Sequence, residues 1–186
     1  MGFVVADISM SLDGFVAGPD ASEDRPLGVG GEALHAWLDN PDERKLMDEL
    51  FGSFGAVVAG RRAYDHTNGW GEEPPFSAPV FVPTRRPRNT RFAGGSTFTF
   101  VPEGVASAVA QARLTAGDKN VYLMGGASTI DQALDAGLVD EVQVRIAPVL
   151  LGGGTRLFDL GDRIELEWLE LVHGHGAVHL RYRVRR

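Results

Sequence analysis

The sequence predicts an α/β fold in three layers: a mainly parallel central sheet covered by helices, with an antiparallel hairpin at its C-terminal end. Three observations carry this prediction. Short, β-branched apolar runs alternate with segments of helical spacing, as parallel strands alternate with crossover helices. Two of those runs meet glycine and turn at once into a helix. The tail instead alternates apolar and charged residues, the period of an antiparallel pair with one wet face.

Taken in order, Phe3–Ser9 is a strand predicted to be buried on both faces. The Gly- and Asp-rich stretch from Ser11 to Gly31 is too punctuated for regular structure and reads as a long binding loop or lid. Glu32 to Phe54 carries Leu34, Trp37, Leu38, Leu46, Met47, Leu50 and Phe51 at helical spacings, and Asn40-Pro41 divides it in two. Ala56–Ala59 is a strand ended by Gly60, and a short helix starts at Arg61. Pro79–Val82 and Thr97–Val101 are strands, and Val105–Ala116 is a helix with Val105, Ala108, Val109 and Ala112 on one face. Val121–Met124 is a strand, Gly125-Gly126 a turn and Ser128–Ala136 a helix. Glu141–Leu151 reads as a long strand, and Ile164–Val172 with Val178–Val184 as the hairpin.

Composition bounds the function. With 18 Lys+Arg against 25 Asp+Glu the net charge is −7, and 44% of the 186 residues are apolar. That is the balance of an ordinary globular protein, and the length suits a single domain over residues 1–186. The acidic balance argues against a nucleic-acid partner, which needs a broad basic surface. No cysteine is present, which removes disulfides, thiolate nucleophiles and Cys-bound metals. No apolar run is long enough for a membrane span, and Asp7 interrupts the first apolar run, against a secretory signal. A soluble cytoplasmic protein is expected.

The chemistry concentrates at strand ends. In Val57-Val-Ala-Gly60-Arg61-Arg62 and in Tyr122-Leu-Met-Gly125-Gly126-Ala127-Ser128, a helix start supplies free N–H groups and a positive dipole end, an anion site that glycine leaves open. Glycine also ends strands for purely structural reasons, so each corner alone has two readings. Thr84-Arg85-Arg86-Pro-Arg88 follows a strand and suits a terminal phosphate such as the 2′-phosphate of NADPH, or is a solvated basic loop. Asp13, beside Gly14, reads as a proton donor or as the cap of its own turn. His35 and Trp37 face a flat ligand or belong to surface and core. His173, His175 and His179 lack a carboxylate pattern, and no metal site is expected.

Together, Ser-Leu-Asp-Gly-Phe-Val-Ala (11–17), Gly-Gly-Glu-Ala-Leu-His-Ala-Trp (30–37), Val-Val-Ala-Gly-Arg-Arg-Ala-Tyr (57–64), Tyr-Leu-Met-Gly-Gly-Ala (122–127) and Leu-Val-Asp-Glu…Ile-Ala-Pro-Val-Leu-Leu-Gly-Gly-Gly (138–154) resemble the dihydrofolate reductase-like superfamily. The last two motifs resemble its riboflavin-biosynthesis branch, the C-terminal reductase domain of the bifunctional deaminase/reductase. The resemblance spans nearly the whole chain. It implies NADPH across the C-terminal ends of the strands, with Gly60, Arg61 and Arg62 on the pyrophosphate and adenosine side. It further implies Thr84 and Arg85 at the 2′-phosphate, Gly125, Gly126, Ala127, Ser128 and Thr129 as the pyrophosphate cradle, and Ala6, Gly14, Val16 and Ala17 near the nicotinamide. The implied reaction is hydride transfer to a C=N bond of a pyrimidine or pteridine, as in 5-amino-6-(5-phosphoribosylamino)uracil reductase. Asp13 is then the catalytic carboxylate, with Asp39 a second candidate by order, while His35 and Trp37 meet the substrate.

The chain departs from the bifunctional pattern in one respect. These 186 residues hold no Cys and hence none of the His/Cys zinc signature of the deaminase half, so a stand-alone reductase-like domain is expected. A non-catalytic nucleotide- or flavin-binding protein and a dihydrofolate-type reductase are the competing readings. A homodimer is expected, from the resemblance and from the exposed edges of an open sheet.

Overall fold

In the computed structural model, which describes residues 2–185, the first apolar run forms strand β1 (Val4–Ser11). Val4 and Ala6 enter one apolar cluster and Val5 the other, so β1 is covered on both faces. Β-branched runs likewise form β3 (Ala56–Val58), β4 (Pro79–Pro83), β6 (Ser96–Val101), β7 (Val121–Met124) and β8 (Glu141–Ala147). Strand β8 stops at Ala147, short of the predicted Leu151, because Pro148 has no N–H to continue a ladder. The hairpin is β10 (Leu166–His173) and β11 (Val178–Val184), with a bulge between Trp168 and Glu170.

Helix α1 (Pro41–Gly52) starts at the predicted break: Asn40 accepts from the N–H groups of Asp42 and Glu43 at 3.0 and 3.3 Å, and Pro41 needs no acceptor. The preceding segment, Gly31–Asp39, is a 3-10 helix rather than an α-helix. Its buried residues, Gly31, Leu34 and Trp37, are spaced by three, the repeat at which 3-10 side chains eclipse. Helices α2 (Arg61–His66), α3 (Val105–Ala116) and α4 (Ala127–Asp135) lie at their predicted places.

Among the described residues one nine-stranded sheet runs β10-β11-β8-β1-β7-β3-β4-β6 and ends on a short strand, β5 (Arg91–Ala93). The six strands from β8 to β6 are parallel, while β11, β10 and β5 run antiparallel to their neighbours. Helices α3 and α4 cover one face through Val105, Val109, Ala112, Ile130 and Leu134. Leu50 and Phe51 at the end of α1, Phe54 just after it and Tyr64 of α2 pack on the other face. A separate pair, β2 (Phe15–Ala17) with β9 (Thr155–Arg156), pins the start of the long loop against the segment after β8.

Candidate functional site

Strands β3 and β7 are parallel neighbours, and each hands the chain through glycine to a helix, Gly60 to α2 and Gly125-Gly126 to α4. The two corners touch. The Gly60 N–H donates to the Gly125 carbonyl at 3.1 Å, and a Cβ on Gly60 would lie 2.8 Å from Thr129 Oγ1 and 3.1 Å from Gly126 Cα. Gly126 has φ +83°, a conformation side chains disfavour. Neither corner has a side-chain cap; the Thr129 N–H turns back to the Gly126 carbonyl at 2.9 Å, while no side chain caps the first N–H groups of α2 and α4. Both corners open on one cleft of about 1260 Å³. That exceeds the ~300–1,000 Å³ of a site for a single small ligand and leaves room for a dinucleotide beside a second molecule.

Arg61 ties this region together. Its Nε meets Asp65 at 2.8 Å, while Nη1 donates to Thr84 Oγ1 at 3.1 Å and to the Arg86 carbonyl at 2.7 Å. The arginine thereby fastens the start of α2 to the basic loop after β4. Arg62, one residue on, is exposed along the cleft.

At the β1 end, the cleft is lined by an ion pair. Arg145 of β8 grips Asp7 of β1 through two parallel bonds, 2.5 and 3.0 Å long, and both side chains are at most 5% exposed. The guanidinium lies 5.3 Å over the Trp37 ring, whose indole N–H bonds the Leu34 carbonyl at 3.0 Å and Ser9 Oγ at 3.3 Å. His179 meets the edge of the same indole, with its Nε2 2.9 Å from the buried carboxylate of Glu43. Burial pulls the His179 pKa below its ordinary value despite Glu43. His35 also lines the cleft, its pKa lowered first by burial and then by Arg145. Across the cleft, Asp131 of α4 is raised by burial, and one of its oxygens accepts from the Asp159 N–H at 3.4 Å.

Of the residues proposed from the sequence, Val16, Ala17, His35, Trp37, Gly60, Arg61, Arg62 and Gly125 through Thr129 line this one cleft. Thr84 and Arg85 lie just past Pro83, which does line it, and Arg85 is exposed. Ala6 is 1% exposed and packs into the core under α3 and α4, while its strand neighbours Asp7, Ile8 and Ser9 line the cleft. Gly14 also lies off the cleft, at φ +90° in the turn between β1 and β2, where its carbonyl accepts from the Leu157 N–H. Asp39 is exposed at the end of the 3-10 helix, outside the cleft lining.

Asp13 lies apart from the cleft. Its carboxylate accepts from the Ser11 hydroxyl at 2.6 Å and from the N–H groups of Gly152 and Leu151 at 2.7 and 3.1 Å. Those bonds, the Ser11 hydroxyl foremost, hold its pKa at about 2. A carboxylate so held is a clamp on the 148–154 loop and a poor proton donor, and it lies outside the cleft lining.

The sequence reasoning missed Asp7, Arg145 and Asp131 as cleft residues. The available signal was a charged residue inside an otherwise apolar strand, at Asp7 and again at Arg145.

Comparison with known proteins agrees with this geometry. Residues 2–179 match the RibD C-terminal domain family. The chain belongs to that family. Two uncharacterised Bacillus subtilis (strain 168) proteins are similar over most of their length: YyaP is 25% identical, with 96% of this chain and 93% of YyaP covered, and YwjB is 26% identical, with 94% of each covered. Among solved structures, a candidate riboflavin biosynthesis protein from Shewanella sp. PV-4 superposes with a TM-score of 0.71 at 22% identity, over 99% of both chains. Dihydrofolate reductase from Enterococcus faecalis, solved with NADP(H), superposes at 0.65 with 16% identity, over 100% of this chain and 98% of that one. RibD from Acinetobacter baumannii gives the same TM-score and identity, with all of this chain but only 59% of RibD covered. These likenesses establish the dihydrofolate reductase-like fold, and the family match places the chain with the RibD reductase domains.

Proposed function

We propose that this RibD C-terminal domain protein is an NADPH-dependent reductase of a pyrimidine or pteridine C=N bond. One observation carries the reading: two glycine corners in mutual contact present uncapped helix starts to a single cleft, with Arg61 and Arg62 beside them. Such a donor set fits a diphosphate bridge, since the N–H groups and dipole ends stabilise negative charge that the exposed Arg62 then neutralises, while Arg61 holds the corner in place. Thr84 and Arg85 read the 2′-phosphate, held in place by the Arg61 tie.

When bound, the reduced nicotinamide supplies the hydride. Val16, Ala17 and Ile8 form the apolar wall that orients the ring. His35 and Trp37 face the acceptor. With Asp13 clamped and Asp7 tied to Arg145, the proton that completes the reduction comes from solvent in the open cleft. A homodimer belongs to the same proposal: edge strand β10 exposes Leu166, Trp168, Leu171 and Val172, a surface that suits pairing. Light scattering at the 20.0 kDa mass of one chain removes that part.

The test is a titration with NADPH followed by nicotinamide fluorescence, then a screen of pterin and pyrimidine acceptors followed by loss of nicotinamide absorbance. Binding and oxidation are expected. Absence of binding refutes the proposal, and tight binding with no oxidation by any acceptor favours a nucleotide-binding protein.

A further inference from the structure

One end of the cleft is an aromatic and aliphatic chamber. Trp37, Leu38, Met47 and Phe51 pack together there, and all four line the cleft with Asp7 and Arg145. Among the described residues the chamber holds one strong cation, Arg145, and that cation is spoken for. Two of its N–H groups are committed to both oxygens of Asp7, and its face is stacked on Trp37. His35 is shifted toward the neutral form by burial and by Arg145 itself. The other cleft arginines sit on other elements: Arg61 and Arg62 on α2, with Arg61 tied to Asp65 and Thr84, and Arg156 on β9, donating to the Asp13 carbonyl and lying 4.6 Å over Phe15.

A phosphate entering this chamber would lose its hydration and find no unpaired cation, whereas a flat uncharged ring loses little and gains the aromatic wall. We infer that the Asp7–Arg145 pair is a specificity device that makes the chamber accept a planar heterocycle without a phosphate group and reject phosphorylated acceptors. This rests on the reductase reading for the word acceptor, but the selectivity is a binding property that is measured without turnover.

The experiment uses a matched pair of probes, a hydroxymethyl-substituted pterin and its phosphate ester, titrated calorimetrically into the full chain with and without NADPH. The wild-type protein should bind the uncharged pterin at least about tenfold more tightly than the ester, with little dependence on salt. Asp7→Asn frees the guanidinium, so the ester should gain at least about tenfold, and that gain should fade as salt is added. Tighter binding of the ester to wild type, binding of neither probe, or an unchanged ratio in Asp7→Asn each overturns the inference. Should Asp7→Asn fail to fold, Arg145→Gln leaves the Asp7 carboxylate unpaired, so the ester should weaken further against the uncharged pterin than in wild type, and an unchanged ratio there overturns the inference. NADPH that fails to bind while the uncharged pterin binds counts against the reductase reading alone.

Discussion

Gly60 and Gly125 are joined by a backbone hydrogen bond of 3.1 Å, so two strand-to-helix corners far apart in the sequence form one continuous wall of the cleft. The bond requires close approach, and the absence of a Cβ at Gly60 permits it. Gly60→Ala would set a methyl 2.8 Å from Thr129 Oγ1 and 3.1 Å from Gly126 Cα. Overpacking of this kind costs about 1–3 kcal/mol. The variant should fold with a lowered Tm and bind NADPH more weakly, because relief of the clash pushes the two corners apart. Thermal unfolding and an NADPH titration read both effects; wild-type affinity in a destabilised variant would separate the corners from the cofactor.

Asp13 should behave as a pH-dependent clamp. Its folded pKa is held at about 2 against an ordinary value of 3.8, so its contribution is fully present above the ordinary value and is lost as pH falls toward 2. Asp13→Asn should therefore lower Tm at neutral pH, and the gap to wild type should close between pH 4 and pH 2. A gap of constant size across that range would show that the carboxylate charge is irrelevant to the clamp. Activity at neutral pH should survive in proportion to the folded fraction, which a proton donor would not allow.

Most of the frame was legible because it is written in local periodicity. The runs at Val121–Met124 and Val105–Ala116 became β7 and α3 with the predicted bounds. Strands β2, β5 and β9 escaped because each is two or three residues long, and only a partner elsewhere makes them strands. The glycine corners were legible because strand, glycine and helix are adjacent in the chain. The Asp7–Arg145 pair was not, since the two lie 138 residues apart and meet only because β8 comes back beside β1. Ala6 shows the same limit on a smaller scale, because the sequence gives no indication of which face of a doubly covered strand looks into the cleft.

Two half-buried histidines set the acid side of the stability profile. His35 and His179 have pKa values lowered chiefly by burial, so the unfolded chain takes up their protons first as pH falls. Stability should therefore decline below the ordinary histidine value of 6.5, by at most about 1.4 kcal/mol per pH unit for each group, until the folded pKa is reached. Denaturant unfolding between pH 7 and pH 5 checks this. His179→Gln should flatten part of the slope, and an unchanged slope would mean that His179 does not contribute.

Arg85 is where preference between coenzymes should reside. It is exposed, and the loop that carries it is anchored from behind, since Arg61 donates to Thr84 Oγ1 and to the Arg86 carbonyl on either side. The anchor leaves the Arg85 guanidinium free to meet a phosphate while holding its backbone still, which lowers the ordering cost of the contact. A hydrogen bond to a charged group contributes about 1.5–3 kcal/mol, so Arg85→Ala should weaken NADPH roughly ten- to a hundredfold. NADH lacks the 2′-phosphate and should be nearly unaffected. Arg61→Ala should weaken both coenzymes, because it releases the loop and the start of α2 together. Equal losses for the two coenzymes in Arg85→Ala would show that the 2′-phosphate is read elsewhere.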